Sequence, residues 1–392
     1  MNKRFFNICN LYVFLWLLMK TQGILYESVL ISVALYAITI AISLCYAVKC
    51  YQANDNPPFV KAYNVLFALL CVYGAVNYVI ADVHTTYKQI PSDFYLQNIV
   101  KSMIPFYAFY AFAKQGLINL TWLRWFMAVF LGLTINAYYM KESLLFDSLS
   151  SDIDGVTNNV GYIFVSLLPL TCFWNNKKVI QYALLAICSF FIIMSMKRGA
   201  IITAAAVMLV FIAMTGINNK SKKRFVNLIL IIAVVLAVYF FVSYLLDTSE
   251  YFGKRVEDTL EGYSSQRDYL YSYYWNLFWN DSNPLQFLFG RGADGTIHTG
   301  HNYAHNDWLE ILIDQGVIGI VVFLFFWITL IKLWRKYPIN NLGIALGMCV
   351  VFLLSRTFFS MSINDMSIYS TSVLGVAVAA YYNKNYMASL TE

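Results

Sequence analysis

Apolar runs recur along the whole chain, each bounded by short polar stretches. Twelve are long enough, or nearly so, to cross a bilayer as helices, at about 5–19, 24–47, 59–81, 97–115, 120–140, 158–174, 179–196, 200–217, 225–246, 304–334, 341–361 and 366–383. The pattern predicts an all-α polytopic membrane protein with about twelve transmembrane helices. The first run is short and follows Asn2-Lys3-Arg4, as a signal peptide would. Met19-Lys20-Thr21-Gln22-Gly23 lacks a small-residue cleavage site, so the run is read as a retained helix.

One long polar interruption, about residues 247–303, breaks this rhythm. Within it, residues 263–281 carry Leu270, Tyr274, Leu277 and Phe278 at helical spacing among tyrosines and tryptophans. That composition predicts a helix along the membrane surface, with Arg267 in its first turn and Asn283-Pro284 ending it. Gly290, Gly292 and Gly295 then predict a flexible turn. Gly-x-Gly alone is a weak signal for a phosphate cradle. His305 is expected to begin the tenth span. On a continuous helix, at about 100° per residue, Gly316 and Gly319 would share its face and leave a groove or a packing surface there.

The composition agrees with a membrane protein: 60% of residues are hydrophobic and 12% charged. With a cytoplasmic N-terminus, 16 of the 27 basic residues fall in inner segments, including the cluster from Lys220 to Arg224. The positive-inside rule therefore turns the long loop toward the periplasm or the exterior. Arg198, Arg267, Arg291 and Arg356 lie on that outer side, where insertion does not favour them. They form either an anion site, since the guanidinium fork suits phosphate, or a set of interfacial cations at lipid headgroups. The seven cysteines fall in or beside predicted spans with no metal or disulfide spacing, and are read as small core residues.

Three of the four histidines, His298, His301 and His305, lie within eight residues. Thr299-Gly300 makes one helix through all three improbable, and no cysteine or carboxylate pair completes a ligand set, so a metal site is not expected. Histidine titrates near neutrality and suits general-base work better. Asp307 and Glu310 are rival bases, each also explained as a carboxylate in a first helical turn.

His305-Asn306, nine residues and Gly316-Val317-Ile318-Gly319 resemble the His-[Asn/Ser/Gln]-x9-Gly-x-x-[Gly/Thr/Tyr] pattern of O-antigen ligases. The wider region, from Arg267 through Asn283-Pro284-Leu285 and Gly290-Arg291-Gly292, is similar to the domain shared by O-antigen ligases and polymerases. The resemblance covers about residues 180–330. It divides the chain into N-terminal transmembrane helices (1–178), a catalytic region (179–335) containing periplasmic loop 247–303, and C-terminal transmembrane helices (336–392). It implies a bacterial inner-membrane glycosyltransferase, active on the periplasmic face, that uses no metal or other cofactor. The implied donor is an undecaprenyl-pyrophosphate-linked glycan, and the acceptor a glycan or the lipid A core. Besides membrane lipids no other partner is expected, nucleic acid included.

The resemblance makes His305 catalytic and Arg267 and Arg198 pyrophosphate-binding. The latter lies in Ser195-Met196-Lys197-Arg198-Gly199, with lysine where the family commonly has serine. Arg291 has no family counterpart and is a further pyrophosphate candidate, while Asn306, Asp307, Gly316 and Gly319 support the site. Polymerase and ligase differ only in acceptor. Polymerase is the expectation, because every glycan pathway of this type needs its own. A transporter or flippase is the non-enzyme alternative; against it, charges are scarce inside the spans.

Overall fold

The computed structural model describes residues 7–25, 29–80, 91–147, 156–218, 242–260, 267–299, 301–363 and 365–391, with 232, 236, 239 and 240 singly. Among them no strand occurs. Six helices are long and apolar enough to cross a membrane: Leu30–Gln52, Pro58–Val79, Leu120–Phe146, Arg198–Gly216, Asp307–Lys336 and Asn341–Phe359. Four apolar helices are shorter: Ile8–Met19, Gly161–Trp174, Lys178–Met194 and Ile368–Tyr381. The expected run at 225–246 and the basic cluster from Lys220 to Arg224 lie largely or wholly outside the described residues.

Two expected spans are broken for local reasons. The 97–115 run is two helices, Phe94–Met103 and Pro105–Lys114, parted at Ile104. Pro105 has no N–H to continue the backbone ladder and instead starts the second helix. The 158–174 run starts as an α-helix, Gly161–Leu167, and tightens into a 3-10 helix, Leu168–Trp174, around Pro169.

The core is aromatic. Tyr63 stacks on Phe106 with ring centroids 4.2 Å apart, and Phe326 packs against Phe59 at 5.5 Å. Ile368–Tyr381 lies close along Pro105–Lys114 because Gly375 has no side chain; a Cβ there would come within 2.7 Å of the Tyr110 nitrogen. Asn341–Phe359 packs against Arg198–Asn218, and Asp307–Lys336 against Pro58–Ile80. Gly199 lies against Phe359 and Asp307 bonds the Ser362 N–H, so the N-terminal ends of Arg198–Asn218 and Asp307–Lys336 meet the C-terminal end of Asn341–Phe359.

The loop helix is found at Arg267–Asn280, and its buried residues are Leu270, Tyr274, Leu277 and Phe278, the face its periodicity marked. Asn283-Pro284 ends it and also starts Pro284–Phe289: Asn283 accepts from the Gln286 N–H at 2.9 Å while the Gln286 side chain accepts from the Asn283 N–H.

The helix after His305 is not continuous. Gly316 has φ 65° and ψ −158°, splitting Asp307–Lys336 into two helical stretches. The face shared by His305, Gly316 and Gly319, which required an unbroken helix, is therefore absent. At Gly316 the chain instead meets the Leu288–Gly290 backbone, and Gly319 lies against Gln315 and Ile311 of its own preceding turn.

Candidate functional site

His305 stands just outside its helix, with φ 53°, a left-handed conformation in which histidine is over-represented. Asn306 then caps the helix, its side-chain oxygen accepting from the N–H groups of Trp308 (3.0 Å) and Leu309 (3.3 Å). Asn306 is thus the hinge between the loop and the span.

Asp307 and Glu310 have a different task from first-turn carboxylates facing solvent. Both are buried. Asp307 Oδ2 accepts from the backbone N–H groups of Ser362 (2.8 Å) and Ile363 (3.3 Å), fastening the segment after Asn341–Phe359 to the start of the His305 helix. Trp308 repeats the link, donating from Nε1 to Thr357 Oγ1 at 3.0 Å and stacking on Phe358. Glu310 accepts from Thr296 Oγ1 at 2.7 Å and so holds the Gly295–His298 turn.

The histidines separate. His298 is exposed at one face, and desolvation by the groups against its other face lowers its pKa. The His301 ring lies against Tyr273, with centroids 4.2 Å apart, and near Tyr269 at 5.9 Å. Tyr274 fixes the strand of loop leading to His305 by donating to the Asn302 carbonyl at 2.5 Å. Among the described residues no group of His, Cys, Asp and Glu could hold a metal ion.

The Asn306 side chain lies near the Tyr271 hydroxyl, which donates to the Phe358 carbonyl at 3.1 Å. Burial raises the Tyr271 pKa, while Asn306 and the Arg267 charge pull it back. Arg267 is one helical turn before Tyr271 on the same face. The charges of Arg356 and Arg267 both act on the buried Tyr162 hydroxyl. That hydroxyl lies against Gly199, where an added Cβ would collide with it, and Gly199 follows Arg198. The turn carrying Arg198 is itself pinned, because the Asn158 N–H donates to the Ser195 carbonyl at 2.8 Å and Met196 takes φ 50°. Arg198 thus adjoins Tyr162 by way of Gly199, and the charge of Arg267 acts on both Tyr162 and Tyr271.

Arg291 stands apart from it. Its backbone N–H donates to the Ile313 carbonyl (2.7 Å), and its Nη2 donates to the Asp281 carbonyl (2.9 Å). From Asp307 to Ile313 the helix rises about 9 Å, so Arg291 belongs to the far end of this helical stretch. The amides of Gly290, Arg291 and Gly292 are all consumed, by Gln286, Ile313 and Asp314 carbonyls respectively, which leaves no phosphate cradle in this Gly-x-Gly turn.

Nearby Asp294 is buried in a left-handed conformation and accepts from the Tyr303 hydroxyl at 3.1 Å. Burial raises its pKa to about 6, against the opposing effect of that hydrogen bond.

Tyr162, Tyr271 and the Asp307–Ser362 link were invisible to sequence reasoning, having no motif around them. Arg356 was marked only by its outer-side position. In the structure it is buried, its guanidinium lies over the Tyr162 ring at 5.0 Å, and it forms an ion pair with Asp365.

Residues 183–324 match the family model for O-antigen ligase. The matched stretch contains Arg198, Arg267, His305, Gly316 and Gly319 and covers less than half of the chain. No curated protein matches the sequence. With its apolar helices, the O-antigen ligase match supports a multi-pass membrane protein with a glycosyltransferase role in surface-polysaccharide assembly.

Proposed function

We propose that the protein is an inverting glycosyltransferase of the bacterial inner membrane. It moves a glycan from undecaprenyl pyrophosphate to a sugar hydroxyl of another lipid-linked glycan, as an O-antigen polymerase does, on the periplasmic face. The observation supporting this reading is that the Arg267 charge acts both on Tyr271, beside Asn306, and on Tyr162, whose hydroxyl lies against Gly199 next to Arg198.

The acceptor hydroxyl oxygen attacks the anomeric carbon as the bond from that carbon to the diphosphate oxygen breaks. The bonding electrons leave with the diphosphate, whose growing charge Arg198 and Arg267 stabilise through charge-assisted hydrogen bonds. His305 takes the hydroxyl proton. One displacement inverts the anomeric centre. Asn306 and Asp307 act by positioning, holding the histidine turn against the helix cap and the 362–363 segment.

The test is glycan transfer by the purified protein and its His305→Ala and Arg267→Ala variants, using a defined lipid-linked repeat. Both variants should insert normally and lose transfer by at least about a hundredfold. Wild-type rates in either would refute its role. The match to the O-antigen ligase family favours a second reading, ligase, in which the acceptor is the lipid A core. A deletion strain separates the two: single repeats on the core mean polymerase, and a bare core with long lipid-linked chains means ligase.

A further inference from the structure

A cavity of about 810 Å³ is lined in part by Tyr162, whose hydroxyl lies against Gly199. Its walls come from six parts of the chain: the helices Ile8–Leu25, Val29–Gln52, Phe94–Met103 and Leu120–Asp147, the start of Gly161–Leu167, and the C-terminal region from Arg356 to Tyr369. The volume suits a sizeable organic ligand.

Its chemistry is divided. Trp16, Met19, Phe130, Leu133 and Ile163 supply apolar wall. Lys101, Lys141 and Arg356 supply three cations against the single carboxylate of Asp365. Lys101 bonds only neutral groups, Gln97 Oε1 at 3.0 Å and the Tyr36 ring at 5.0 Å, and Lys141 is exposed. Neither pairs with a carboxylate among the described residues.

Two buried donors on this wall have no acceptor among the described residues: Arg356 Nε and the Tyr162 hydroxyl. Arg356 is 5% exposed and Tyr162 5%. Asp365, with its side chain 80% exposed, satisfies only the far side of the guanidinium, through Nη1 and Nη2.

We propose that this cavity binds the diphosphate of a second polyprenyl-linked glycan, the acceptor, with the first isoprene units against its apolar wall. The proposal rests on the polymerase reading above, in which donor and acceptor are both lipid diphosphates. Tyr162 and Arg356 line the cavity, and the Tyr162 hydroxyl also meets Gly199, next to Arg198. Two diphosphates can then lie side by side with cations between them to screen their repulsion.

The experiment is binding stoichiometry by native mass spectrometry on the full-length protein in detergent, with farnesyl diphosphate as probe. Wild type should bind two equivalents. Lys101→Gln with Lys141→Gln should retain one, as should Arg198→Gln with Arg267→Gln. Loss of charge-assisted contacts should weaken the affected site about 10–100-fold. Both lysines are at least partly exposed, so the first pair should fold; unchanged thermal melting checks this. Inorganic diphosphate should bind the cavity at least about tenfold more weakly, since it leaves the apolar wall uncovered.

Two equivalents still bound by the Lys101/Lys141 variant would overturn the proposal. So would displacement of the second equivalent by phosphatidylglycerol, which would make the occupant an ordinary membrane lipid. One equivalent in wild type, lost only on changing Arg198 and Arg267, would overturn the cavity while sparing the proposed transfer site. No binding at all would count against both.

Discussion

Gly290 and Gly316 meet backbone to backbone. A Cβ on Gly316 would come within 2.5 Å of the Gly290 nitrogen and 2.6 Å of the Leu288 carbonyl. Both glycines have positive φ, 76° and 65°. The contact explains how a helix can break in so apolar a stretch. Breaking it orphans the carbonyls of its last turn, which apolar surroundings would penalise by several kcal/mol each. The loop returns donors to them, Arg291 N–H to Ile313 and Gly292 N–H to Asp314.

Gly316→Ala should therefore destabilise the protein by on the order of 2–4 kcal/mol, through backbone collision and an unfavourable φ. Gly132→Ala, inside a helix with nothing within 4 Å of the new Cβ, should be neutral or stabilising by up to about 1 kcal/mol. Thermal melts in one detergent compare them. Equal shifts for the two would contradict the Gly290–Gly316 contact.

Asp307 joins segments 55 residues apart. Asp307→Ala leaves two buried N–H groups without their acceptor, a cost of about 1–3 kcal/mol each, whereas Asp307→Asn keeps one acceptor oxygen. The melting temperatures should rank wild type, Asn, Ala, with transfer falling in the same order. A stable Ala variant with full transfer would remove Asp307 from the positioning role.

Asp294 makes stability depend on pH. Its folded-state pKa of about 6 lies above the ordinary 3.8 of the unfolded chain, so between these values the folded protein holds a proton that the unfolded one has lost. Stability should accordingly fall as pH rises from about 4 to about 6, then level off. The size is on the order of 3 kcal/mol. Asn tolerates the left-handed conformation, so Asp294→Asn should gain on wild type across that window. A melting difference between the two proteins that stays constant from pH 4 to pH 7 would disprove this.

Tyr271 donates to the Phe358 carbonyl and lies near Asn306, within the field of Arg267. Tyr271→Phe removes the hydroxyl while keeping the ring, so melting should change little and turnover should drop about 3–10-fold, one hydrogen bond's worth of positioning. Adding Asn306→Ala should then cost less than it does in wild type, because the two residues are coupled. Strict additivity of the two rate effects would show that they act separately.

The surface helix was legible because Leu270, Tyr274, Leu277 and Phe278 repeat at the helical period, and period alone decides which face is buried. The helix start at Asn306 was equally local, since capping needs only the next few N–H groups. The break at Gly316 was not legible. A glycine in an apolar run reads as packing surface until another segment arrives to satisfy the freed carbonyls, and that segment lies more than twenty residues away in sequence. Nor was the seat of Arg291 legible: its Nη2 donates to the Asp281 carbonyl and its backbone N–H to Ile313, contacts that spacing does not show.

Hydrophobic period and the family motif, local properties of the chain, thus determined an all-α membrane protein, the surface helix and the stretch around His305. The tertiary structure alone decided how Asp307 and Glu310 are used and that Arg356 lies over the Tyr162 ring. Those outcomes depend on contacts between residues up to two hundred positions apart, and one-dimensional spacing does not encode such contacts.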